Sequence, residues 1–155
     1  MVVNEIEADF DVAFDRLVIA DWHDQGAVRR ALRDVFANFY AWRDLASSRT
    51  NYFTSTKASF DGRTTEALNI LRNIDQHHVE ELVQPRALVL FPSEQLFPSE
   101  YVFLGENLTF LPVADMAKPP ARLLQDKHLE YYHECLGGLL VLPALDASRR
   151  FLKQF

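Results

Sequence analysis

Apolar residues recur at helical spacing along much of this chain. Between residues 5 and 20, Ile6, Phe10, Phe14 and Leu17 follow one another at steps of four, four and three. That spacing lays one apolar stripe along an amphipathic helix. Asp24 is a good N-cap for a second helix running to about Leu45. Its apolar face carries Val28, Leu32, Val35, Phe36, Phe39 and Trp42, and its opposite face carries Arg29, Arg30 and Arg33. Residues 46–60 are rich in Ser and Thr and read as a loop with at most a short extended piece. Asp61 or Thr64 is placed to cap a third helix that runs to about Val83, where Pro85 forbids simple continuation.

On a helical wheel the third segment divides cleanly. Ala67, Leu71, Ile74, His78 and Leu82 gather on one side, with Leu68 at its edge. Asn69, Arg72, Asn73, Gln76, His77 and Glu80 fall on the other. His77 therefore belongs to a polar face and His78 to an apolar one.

The pattern changes after residue 85. Ala87-Leu88-Val89-Leu90-Phe91 has the composition of a strand. Tyr101–Leu104 and Leu108–Leu111, joined by Gly105-Glu106-Asn107, read as a hairpin. Leu-Phe-Pro-Ser-Glu occurs at 90–94 and again at 96–100, which reads as two similar turns rather than a repeat architecture. Pro112, Pro119 and Pro120 mark a further loop. A fourth helix is expected from near Arg122 through His133 and Cys135. Gly137, Gly138 and Pro143 then weaken or kink it, and residues 146–155 form its last part or a separate short helix. Strands and helices do not alternate, which excludes a doubly wound α/β sheet. The expected fold is mainly α: a four- to five-helix bundle in a single domain, 1–155, with a small β-hairpin insertion around 86–111.

Composition narrows the possible partners. The formal net charge is −6, which argues against a protein that coats duplex nucleic acid through phosphate contacts. A local site for one strand remains compatible with it. Cys135 is the single cysteine, so no intramolecular disulfide can form and a reducing cytoplasm is the expected compartment. The first residues are acidic and lack a long apolar run, so a signal peptide is not expected. No stretch reaches the roughly 18 apolar residues of a membrane span.

Candidate chemistry concentrates in Arg72-Asn73-Ile74-Asp75-Gln76-His77. Arginine offers a permanent charge and a bidentate fork for phosphate. Histidine titrates near neutrality and can move a proton. Asparagine can position a hydroxyl or either partner. On one straight helix, Arg72 and His77 lie about 140° apart around the axis and about 7.5 Å apart along it. One helix alone therefore does not close a site; a bend or a second copy of the chain must complete it.

Arg-Asn-x-x-x-His late in the third helix of a small helical bundle resembles the HEPN superfamily. Arg72 to His77 matches the shortest form of that family's Arg-to-His spacing, and Arg72 to His78 would match the next. The resemblance covers these six residues and, more loosely, the helix order of the chain. It implies a metal-independent endoribonuclease that needs no cofactor and acts as a homodimer with two motif copies facing each other. The 2′-hydroxyl of RNA attacks the adjacent phosphate and leaves a cyclic phosphate. His77 would be the general acid and base, Arg72 the phosphate stabiliser and Asn73 the positioning group. Val79 stands where many family toxins paired with a nucleotidyltransferase antitoxin carry Tyr, so control through that Tyr is not implied. A toxin or defence role, with an antitoxin as protein partner, is the biological setting the likeness suggests.

Other groups weigh less. His128, Glu130, His133 and Glu134 share the fourth helix, but the histidines are five apart and no His-Glu-x-x-His occurs, so no metal site is expected. Cys135, beside Leu136, reads as a buried thiol rather than a nucleophile. His23 beside Trp22 reads as a packing or capping residue. Arg29, Arg30 and Arg33, with Arg43 and Arg49, form the main basic resource, and with Tyr40, Trp42, Tyr52 and Phe53 close in sequence they have the mixture of charge and stacking surface that holds a single RNA strand. Two further readings stay open: a non-enzymatic interaction or scaffold protein with a Phe-rich surface, and a nucleotide-binding regulator that uses Arg72 without cleavage.

Overall fold

The computed structural model describes residues 3–21, 24–72, 82–85, 108–116, 119–120 and 123–155. Among them the chain forms six α-helices and one two-stranded sheet: α1 (Val3–Val18), α2 (Gln25–Ser47), α3 (Tyr52–Ala58), α4 (Phe60–Arg72), β1 (Val83–Pro85), β2 (Leu108–Phe110), α5 (Asp126–Cys135) and α6 (Val141–Leu152). A 3₁₀ turn, Val113–Asp115, follows β2. The architecture is mainly α with a small antiparallel sheet, as the periodicity implies. No helix among the described residues is long and apolar enough to cross a membrane.

The first two helices follow their sequence signals closely. Asp24 caps α2, its carboxylate accepting from the Ala27 amide at 2.9 Å. This satisfies one of the orphan donors at the helix start. All six apolar positions expected on α2 are buried, and Phe10 and Leu17 of α1 are buried against them. Phe10 meets Trp42 edge-on at 5.6 Å between ring centroids. Burial of one such aromatic contributes roughly 1.5–3 kcal/mol.

The Ser/Thr-rich stretch is not a plain loop, because α3 runs through it. Seven residues of modest propensity do not hold a helix alone in water. Tertiary packing does so here. Tyr52 is fully buried and touches Phe53, Phe151 and Phe155 at 5.2, 5.7 and 5.3 Å. Ser59 then adopts extended backbone and caps α4, accepting from the Gly62 amide at 3.0 Å. The cap is thus Ser59, before both Asp61 and Thr64. Gly62 lets α3 and α4 meet closely, since a Cβ there would lie 2.7 Å from both the Cα and the carbonyl oxygen of Thr56.

The third sequence helix corresponds to α4, whose described part ends at Arg72. It does not reach Val83, which belongs to β1. β1 pairs antiparallel with β2, in the register Val83↔Phe110, Gln84↔Thr109 and Pro85↔Leu108. The strand expected at Leu108–Leu111 is therefore present, but its partner is Val83–Pro85. Tyr101–Leu104, Ala87–Phe91 and both Leu-Phe-Pro-Ser-Glu copies lie outside the described residues. The other edge of β2 meets the α5–α6 link: Phe110 donates its amide to the Leu139 carbonyl at 2.9 Å, and Gly138 donates to the Phe110 carbonyl at 2.8 Å.

The chain turns at Leu123–Gln125, and α5 begins at Asp126, later than the apolar pattern suggests. It ends where the Leu136 and Gly137 amides both converge on the Tyr132 carbonyl, at 2.9 and 2.8 Å. Gly138 follows at φ 76°, a conformation that favours glycine. Pro143 sits in the first turn of α6, where its missing N–H costs nothing, so it helps to start a helix rather than kink one.

Candidate functional site

Arg72 ends α4, and α2 holds it there. Its Nη1 donates to Asp44 Oδ2 at 2.6 Å, and its guanidinium carbon lies 5.4 Å from the centre of the Tyr40 ring. Tyr40 and Asp44 are four apart on α2, so both face the same way. The Arg72 side chain remains 38% exposed. Its Nε and Nη2 make no hydrogen bond to a described residue.

Tyr40 itself is buried, and burial pushes its phenol up, with Arg72 opposing the shift. Neither Tyr40 Oη nor Asn69 Oδ1 has a hydrogen-bond partner among the described residues. Asn69 lies three positions before Arg72 on α4, so two unsatisfied polar atoms border the arginine.

Next in the α2–α4 seam, Arg43, adjacent to Asp44, and Glu66, six residues before Arg72, form a fork, with Arg43 Nε and Nη2 reaching Glu66 Oε1 at 3.2 and 3.1 Å and Nη2 reaching Oε2 at 3.2 Å. The Tyr52 hydroxyl donates to the same Glu66 Oε1 at 2.8 Å. Burial works against the Arg43 charge, but Glu66 beside it more than compensates and its pKa is raised. Burial and Glu66 together push the Tyr52 phenol up. This cluster fixes α2, α3 and α4 relative to one another. It thereby sets where Arg72 projects.

Arg29 and Arg33 are exposed and lie within about 20° of Tyr40 around the α2 axis. Arg33 precedes Tyr40 by about 10 Å along the helix. These two arginines and Arg72 therefore share one flank of α2. Arg30 sits about 80° away around the axis. It folds back towards the helix start, its Nη1 only 3.3 Å from where a Gly26 Cβ would be.

Asn73, His77 and His78 lie outside the described residues, as do Trp22 and His23. The candidate metal groups do not converge: among the described residues no set of three His, Cys, Asp or Glu side chains could hold an ion. Glu134 instead pairs with Arg63 at 3.1 Å. Cys135 is buried, as its sequence context suggests, and burial pushes its thiol up. Sequence reasoning missed Asp44 and Glu66 as partners of arginines. The available signal was weak: an acid one helical turn after Tyr40, and another six residues before Arg72 on α4.

Compared with protein-family models, curated proteins and solved structures, the chain gives no match.

Proposed function

We propose that this chain is a metal-independent endoribonuclease of the HEPN type, acting as a homodimer. The observation that supports this reading is the placement of Arg72. It sits at the end of α4, steered by Asp44 and Tyr40, on the flank of α2 that also carries Arg29 and Arg33. A single RNA strand laid along that flank meets Arg29 and Arg33 with its phosphates and brings one phosphodiester to Arg72. Charge there is local, so the net −6 of the whole chain does not oppose it.

In this mechanism His77 takes the proton of the 2′-hydroxyl as its oxygen attacks the adjacent phosphorus. The bond to the 5′-oxygen breaks, and that oxygen leaves with a proton supplied by a general acid, His77 of the same or the second copy. The product is a 2′,3′-cyclic phosphate. Arg72 stabilises charge on the non-bridging oxygens through its guanidinium, and Asn73 positions the nucleophile. The test is incubation with mixed RNA in excess chelator. The proposal expects fragments ending in 2′,3′-cyclic phosphate; intact RNA, or cleavage only when metal is restored, counts against it.

A second reading, a non-enzymatic interaction protein, is favoured by one observation. Phe53, at the start of α3, and Phe60, at the start of α4, are both exposed large apolar residues. That reading expects a protein partner whose binding survives Arg72→Ala and His77→Ala.

A further inference from the structure

A cleft of about 390 Å³ opens between the start of α4, the α5–α6 link and α6. It lies on the side of α4 that packs against α6, away from α2 and Arg72. Its walls are apolar, built from Phe60, Leu139, Pro143 and Ala144. Phe60 and Leu139 stand at its rim, 48% and 46% exposed. The volume falls within the roughly 300–1,000 Å³ of small-molecule pockets.

The floor is formed by Thr64 and Cys135, each 1% exposed. Thr65, the neighbouring hydroxyl, is satisfied by the Asp61 carbonyl at 2.8 Å. Thr64 makes no such return bond: its Oγ1 interacts with the Cys135 thiol, a weak partner, and among the described residues nothing meets it in full hydrogen-bonding geometry. A buried hydroxyl left in this state calls for a partner. Because burial keeps Cys135 protonated, the floor carries no charge.

The mouth is charged but internally balanced. Arg150 Nε and Nη2 donate to the two Asp61 oxygens at 3.2 and 3.3 Å, and Nη1 donates to Asp146 at 2.6 Å. Asp146 is shared with Arg149, whose Nη2 donates to it at 2.6 Å, so the charges at this rim pair with one another and the Arg150 guanidinium is already engaged when an anion arrives. We infer that the cleft binds an uncharged, mainly apolar small molecule carrying one hydrogen-bonding group for the Thr64 hydroxyl. This site stands independently of the RNA-cleaving proposal, since it shares no residue with it.

The probe is N-phenyl-1-naphthylamine, an uncharged fluorophore with one N–H, titrated into the full chain. Its sulfonated analogue, 1-anilinonaphthalene-8-sulfonate, serves as the anionic comparison. Saturable binding at one probe per chain is expected, at least tenfold tighter for the uncharged molecule. Ala144→Phe, which fills the cleft, abolishes binding, and Thr64→Val weakens it several-fold. Should Ala144→Phe fail to fold, Phe60→Glu at the exposed rim is expected to weaken binding at least tenfold with an unchanged melting temperature. Absence of saturable binding overturns the inference, as does equal affinity of wild type and Phe60→Glu, or a preference for the sulfonate.

Discussion

Arg72 and Asp44 meet at 2.6 Å across the α2–α4 seam, with 38% and 45% of their side chains exposed. An ion pair that open to water is worth about 0.2–1 kcal/mol. Arg72→Ala should therefore lower stability by no more than about 1 kcal/mol from the lost pair, with a small addition for the lost contact with Tyr40. Asp44→Asn keeps an acceptor but removes the competing charge. It is expected to tighten single-stranded RNA binding by about twofold to fivefold at low salt, the range that such a pair energy allows. Fluorescence anisotropy with a short labelled RNA measures it; weaker binding by Asp44→Asn would show that the carboxylate positions Arg72 more than it competes.

The Arg43–Glu66–Tyr52 cluster is less exposed and should behave differently. Glu66→Ala leaves the Arg43 guanidinium and the Tyr52 hydroxyl without their shared acceptor. Each buried donor left unmade costs about 1–3 kcal/mol. Arg43 keeps Asp44 nearby at 3.6 Å, which offsets part of its share, so a loss of about 2–4 kcal/mol in urea unfolding is expected for the pair. A loss below that of Arg72→Ala would contradict the role given to this cluster.

Gly62→Ala sets two effects against each other. In an open helix the change stabilises by about 1 kcal/mol. Here the new methyl would lie 2.7 Å from Thr56 backbone atoms, which cannot swing aside as a side chain would. Overpacking of this kind costs about 1–3 kcal/mol, so the net change should be destabilising. Thermal unfolding decides the sign.

Much of this fold is legible in the chain. Asp24, the Val28-to-Trp42 stripe and the buried side of α4 all emerge from local rules of capping and periodicity. The misses share a different character. α3 exists because Tyr52 reaches Phe151 and Phe155, about a hundred residues away, information no local propensity carries. The partner of β2 is likewise set by distant pairing with Val83–Pro85 rather than by the nearest apolar run. At the candidate site, the polar character of Arg72 was readable, but Asp44, 28 residues earlier, was not recognisable as its anchor.

Three buried phenols give the protein a defined alkaline limit. Burial pushes Tyr40, Tyr52 and Tyr132 above the usual tyrosine value of about 10. Their neutral forms thus stabilise the folded chain fully below about pH 10. Above it the unfolded chain ionises first, so stability falls as pH rises. Tyr40→Phe should soften that fall. Because Tyr40 Oη has no partner among the described residues, the same change should leave stability at pH 7 unchanged or slightly higher. Urea midpoints at pH 7 and pH 10.5 for wild type and Tyr40→Phe test both statements.

The most direct test of the proposed activity is the single-turnover cleavage rate of one RNA oligonucleotide in chelator, for wild type, Arg72→Ala and His77→Ala, each first shown to be folded by its unfolding midpoint. The account predicts at least a 100-fold loss for either variant, of the size expected when a charge stabiliser or a general acid–base group is removed. Equal rates in all three folded proteins, or cleavage by none of them, would contradict it.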